Sequence, residues 1–192
     1  MLGLAVLLVC AIVTATAVLA NYQPLWGGGK AWPAPVGVGA KVTREYWLQP
    51  GSGLEQLPPN AQYISIPAHK GLMFTYRFSF FNKGATPVTV TSIGLPPSVQ
   101  RGGGGPIITP EAVLTDQMIA NGQGWESMRP FTLPARMGAS VQVRVQVLQC
   151  VPAQGTVSWN SLPMTFTVHG VHRHDTLPTN VEISLSPQRQ NC

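Results

Sequence analysis

The sequence predicts an all-β protein: a sandwich of six or seven strands with one short helix inserted, preceded by a single N-terminal transmembrane helix. Three observations carry that prediction. Side chains alternate with period two through most of the chain beyond residue 60. Gly (20) and Pro (18) are abundant without a fixed period, which breaks a chain into short elements and excludes collagen. The first charged side chain is Lys30, and an apolar run lies ahead of it. Three segments follow: a transmembrane helix or uncleaved signal anchor over 1–20, a Gly- and Pro-rich tether over 21–59, and the sandwich over 60–192.

Leu2 to Ala20 is an unbroken apolar stretch. As a helix it would be about 28 Å long, close to the hydrocarbon thickness of a bilayer. Signal-peptide cores are shorter, and Tyr22 and Trp26 sit where interfacial aromatics anchor spans, so a retained anchor is expected. A cleaved signal, cut after Ala17 or Ala20, is the alternative. No Lys or Arg precedes the run, and Lys30 and Lys41 follow it, so flanking charge alone favours the opposite topology. The extracytoplasmic character of the rest outweighs that vote. Residues 2–20 are therefore expected to contact membrane lipid, in a single-pass cell-membrane protein with its C-terminal domain outside the cytoplasm.

In the tether, Gly27–Gly29, Pro24, Pro33 and Pro35 disfavour regular elements, with Ala40–Leu48 as a candidate first strand. Tyr63–Ile66 follows as a short strand. Leu72–Phe81 alternates Phe74, Tyr76, Phe78 and Phe80 against Thr75, Arg77 and Ser79. Asn82-Lys83-Gly84 signals a turn, and Val88, Val90 and Ser92 then alternate with Thr89, Thr91 and Ile93, which together predict a hairpin. Thr109 is the expected cap of the inserted helix, with Pro110 at its first position, Leu114 and Met118 one turn apart, and Gly122 as the stop. Ser140–Leu148 is the clearest strand: Val141, Val143, Val145 and Val147 face one way, Gln142, Arg144 and Gln146 the other. Leu162–Val168 and Val181–Leu185 complete the set.

Two of these segments resemble a known family. Tyr76–Ile93 (YRFSFFNKGATPVTVTSI) is similar to the hairpin of bacterial immunoglobulin-like domains of the ASPM/hydin type. Phe131–Val147 (FTLPARMGASVQVRVQV) resembles a later strand of the same domains. The likeness implies an immunoglobulin-like β-sandwich used for adhesion, assembly or scaffolding, and implies no catalytic residues. Ala135–Gly138 replaces the family's Pro-Gly turn, and a glycine loop with a helix separates the two segments.

The net charge of +5 is dispersed, with no run of three basic residues, so nucleic-acid binding is not expected. The seven carboxylates form no close pair on a predicted rigid element, and no nucleophile elbow or phosphate loop occurs. The expectation is accordingly no enzyme and no cofactor. His169, His172 and His174, followed by Asp175, are the one cluster with ligand chemistry. They read either as a surface Zn or Cu site or as the solvated end of a strand. Trp125, behind a glycine-rich loop, is a candidate partner contact. Cys10 falls within the apolar run, which leaves Cys150 and Cys192 as an expected disulfide. The expected function is a membrane-anchored extracytoplasmic interaction or structural module with a protein partner. The alternative is an extracytoplasmic metal-binding protein acting through the histidine cluster.

Overall fold

A computed structural model of the chain describes residues 22–27, 41–43, 62–94, 106–151 and 155–187. The expected transmembrane segment, 2–20, lies outside them, as do most of 21–59 and Cys192. Among the described residues no helix is long and apolar enough to cross a membrane.

Two sheets face one another across an apolar core. The five-stranded sheet is antiparallel throughout, in the order β1 (Leu25–Gly27), β4 (Met73–Asn82), β9 (Gly138–Gln146), β6 (Ile107–Thr115) and β7 (Glu126–Ser127). The six-stranded sheet runs β2 (Lys41–Thr43), β3 (Gln62–Ala68), β11 (Val171–Pro187), β10 (Val157–Val168), β5 (Val88–Ile93) and β8 (Phe131–Leu133). Its strands β3 and β11 are parallel. Among the described residues the expected all-β sandwich is therefore present, with one short helix and with eleven strands rather than six or seven.

The alternation places the core. Phe74, Tyr76, Phe78 and Phe80 on β4 and Val141, Val143 and Val145 on β9 point inward from one sheet. Val88, Val90, Leu162, Met164, Phe166, Ile183 and Leu185 point inward from the other. Trp159 on β10 joins the layers, its Nε1–H donating to the Tyr76 hydroxyl at 3.0 Å. That bond is buried and satisfies a donor that a dry core would otherwise strand. Burial also pushes the Tyr76 phenol well above its ordinary pKa.

Three local expectations are corrected. Leu72–Phe81 and Val88–Ile93 do not form a hairpin: β4 and β5 belong to different sheets. The chain crosses between the layers at Asn82–Pro87, and Asn82 holds the corner. Its buried amide Nδ2 donates to the carbonyls of Thr86 (2.9 Å), Leu133 (3.1 Å) and Pro134 (3.0 Å). Its Oδ1 accepts from Gly84 N–H at 3.0 Å. A turn signal fixes where a chain bends, not whether the next strand rejoins the same sheet.

The second correction concerns the helix. Ile107–Thr115 is strand β6, and the helix α1 occupies Asp116–Ala120. Thr115 caps it: its Oγ1 accepts from Met118 N–H at 3.1 Å. Gly122, at φ +71°, follows it at the expected stop. The helix buries no residue, so no apolar face was available to extend it. Pro110 sits instead beside a β-bulge at Glu111, where a ladder tolerates proline. Third, Ile93 points inward although Val88 and Val90 do too, because β5 carries an irregularity around Thr91 that shifts its register against β10. Thr91 donates its hydroxyl proton to the Thr165 carbonyl at 3.0 Å there.

The segment expected to be tether contributes to the sandwich. Leu25 on β1 is buried and pairs with Asn82, and the Lys83 N–H donates to the Pro24 carbonyl at 2.8 Å. Gly27 is required by close approach: a Cβ there would overlap the Pro178 carbonyl of β11.

Candidate functional site

The histidine cluster straddles a hairpin. After β10 the chain reverses at His169 (φ +51°) and Gly170 (φ +77°), consecutive left-handed residues that suit a two-residue loop between twisted strands. His169 therefore lies in the turn, where its Nε2 meets the Thr86 hydroxyl at 3.2 Å. His172 and His174 follow on β11, two residues apart and exposed on the same outer face. Across the strand pair, Thr167 Oγ1 lies 3.0 Å from His172 Nδ1, and Thr165 Oγ1 lies 3.0 Å from His174 Nδ1. Asp175 is on the opposite face of β11, and its carboxylate accepts from Thr176 N–H at 2.8 Å. Among the described residues no group of three or more His, Cys, Asp or Glu is placed to hold a metal ion. The expected four-residue site is thus divided by the turn and by strand alternation into a pair and two outliers.

Trp125 lies outside the core, just ahead of the edge strand β7. Its ring stacks on the Arg77 guanidinium, 4.6 Å from the ring centroid. Arg77 projects from the outer face of the five-stranded sheet and donates through Nε to Gln142 Oε1 at 3.0 Å. On the same face Ser79 and Ser140 hydroxyls meet at 2.9 Å, and Arg144 pairs with Glu111 at the bulge of β6. The result is a polar platform with one aromatic plate. The alternation on β4 and β9 assigned Arg77, Gln142 and Arg144 to a solvent face, but only the tertiary structure brings Trp125 over them.

Tyr22 packs against the core and is only partly exposed, so an anchoring role cannot use its whole ring. Trp26, 53% exposed, stands on the outer side of β1. Cys150 is exposed in the bend after β9. One buried charged group had no sequence signal. Glu182, between inward-facing Val181 and Ile183, is buried on the other face of β11, and its Oε2 has no hydrogen-bond partner. Desolvation raises its pKa, against a hydrogen bond from Ser158 that lowers it.

Comparison with known proteins gives little purchase. No family model matches the chain, and no curated protein does. Solved structures with partial likeness include PapD-like domain 7 of human CEP192, with TM-score 0.34 and 8% identity over 88% of this chain and 98% of that one. A Vibrio cholerae protease, VesB, gives TM-score 0.34 and 17% identity over 66% of this chain and 30% of its own. A Clostridium perfringens family 123 glycoside hydrolase gives 0.37 and 9%, over 77% of this chain and 27% of its own. The chain thus spans under a third of each of these two enzymes. At these scores none of the three bears on function.

Proposed function

We propose that the protein is a membrane-anchored, extracytoplasmic interaction module of immunoglobulin-like type whose contact surface is the outer face of the five-stranded sheet. The observation that carries this reading is Trp125, held outside the core on the Arg77 guanidinium. A large aromatic kept rigid at a surface costs little further entropy on binding, and Trp and Arg dominate the energetics of protein interfaces. Around them, Gln142, Ser140, Ser79 and the Arg144–Glu111 pair supply the polar rim of such a contact. No catalytic role is assigned to any of these groups, and no cofactor is invoked.

The anchor rests on the apolar run Leu2–Ala20. Since β1 begins at Leu25, a span ending at Ala20 would hold the sandwich against the bilayer rather than on a long tether. Exposed Trp26 then faces the interfacial layer in which aromatics are favoured. A disulfide between Cys150 and Cys192, expected from the sequence, would suit an oxidising compartment.

The test is purification of the full-length protein, wild type and Trp125→Ala, from carbonate-washed membranes of its native host. We expect both to remain with the membrane, and one stoichiometric protein partner to accompany the wild type only. Loss of the chain in the wash would sink the anchor. An identical set of companions with both forms would sink the Trp125 contact.

A further inference from the structure

The structure assigns His172 and His174 a role independent of the interaction surface on the other sheet: we propose that they form a two-imidazole site for a divalent transition-metal ion of the Cu, Ni or Zn class. Alternate residues of one strand share a face, so the two side chains rise side by side from β11, roughly 6–7 Å apart at their Cα atoms. Both hydrogen bonds to the rings engage Nδ1, from Thr167 and Thr165 on the neighbouring strand, and this leaves Nε2 of each ring as the coordinating atom.

The threonines suit this chemistry. A hydroxyl donates to Nδ1 in one imidazole tautomer and accepts from it in the other. Metal binding at Nε2 requires the tautomer whose Nδ1 carries the proton, and each threonine oxygen then becomes its acceptor. Ring orientation is held through the exchange, which is how outer-shell partners support histidine ligands. The surrounding face is hydroxyl-rich, because Thr165 pairs with Ser92 and Thr167 with Thr89, which pairs in turn with Thr132. Among the described residues no group of three or more ligands forms with a carboxylate here, since Asp175 occupies the opposite face. An uncharged nitrogen set selects Cu, Ni and Zn over Mg and Ca, whose preference is for oxygen.

Titration of the untagged full chain in detergent with CuCl2 and with ZnCl2, followed by calorimetry and by Cu electron paramagnetic resonance, tests the assignment. We expect one ion per chain, nitrogen hyperfine structure from two imidazoles, and no displacement by millimolar MgCl2. His172→Ala and His174→Ala should each weaken binding about tenfold or more, with Thr165→Val and Thr167→Val weakening it about tenfold and His169→Ala changing it less than about twofold. Because these side chains are exposed, the variants should keep the wild-type circular dichroism; His172→Asn and His174→Asn serve as replacements for any alanine variant that does not. Absence of binding at millimolar metal would overturn the proposal. So would binding that survives loss of both histidines, or that depends equally on His169.

Discussion

At the scale of single residues, Asn82 and Glu182 show how differently the interior treats two polar side chains. The two Nδ2 hydrogens of Asn82 reach three carbonyls, one hydrogen being shared, and its Oδ1 accepts one N–H at the corner where the chain changes sheet. Asn82→Ala should cost about 3 kcal/mol in denaturant unfolding, because groups left buried without partners keep their desolvation penalty. Exposed Lys83→Ala beside it should be neutral, and equal costs would mean that the corner is held by backbone alone. Glu182 is the opposite case, with one carboxylate oxygen unpartnered. Its pKa is raised in the folded state from 4.5. Below that value both states hold the proton and nothing is lost. As pH rises past it, the unfolded chain ionises freely while the folded one resists, so stability falls. Glu182→Gln should therefore stabilise the protein by about 1 kcal/mol at pH 7 and leave it unchanged near pH 3.5. A stabilisation that persists in acid would contradict the linkage.

At the scale of elements, β9 illustrates a strand with one dry face. Val141, Val143 and Val145 are fully buried between the sheets, while Gln142 and Arg144 reach partners on the outer face. Val143→Asp places a carboxylate where nothing can pair with it, and should cost several kcal/mol or abolish folding. Gln142→Asp keeps an acceptor within reach of Arg77 and should change stability by less than about 1 kcal/mol. Thermal melts of the two variants decide the matter, and similar losses would mean that both faces are covered. Strand β11 behaves differently along its length. Near the hairpin it alternates between exposed and half-buried residues, whereas from Val181 to Leu185 every residue is buried. Period-two reading works for the first half and misses Glu182 in the second, since burial on both faces removes the alternation.

At the scale of the molecule, the expected pairing of Cys150 with Cys192 would link the fold to its compartment. Cys150 follows the central strand of one sheet, and Cys192 lies beyond β11 of the other, outside the described residues. Pairing them would tie the chain end to the sandwich and stabilise it by roughly 4 kcal/mol through loop-closure entropy. Non-reducing peptide mapping of protein from its native host should recover one cross-linked Cys150–Cys192 peptide. Recovery of Cys150 linked to Cys10 would contradict the placement of Cys10 within a membrane span, and alkylation of all three thiols without reductant would remove the bond altogether.

The sequence by itself determined the long strands β4, β9 and β10 and their buried faces, because alternation acts between near neighbours, whereas β1 lay in the expected tether and β6 in the expected helix. Phe74 to Phe80, Val141 to Val147 and Leu162 to Val168 all face as their spacing requires. Sheet membership was decided only by the tertiary structure, since a turn at Asn82-Lys83-Gly84 suits a hairpin and a crossing equally well. The start of the helix was decided the same way, by the pairing of Ile107–Thr115 with β9. The candidate sites followed suit. Three histidines in six residues were visible as a cluster, yet a two-residue reversal at His169-Gly170 separated one of them from the strand pair. Trp125 was visible as an aromatic behind a loop, but its seat on Arg77 joins residues 48 positions apart. Contacts of that range are set by how the layers close on their common core, and no local pattern encodes them.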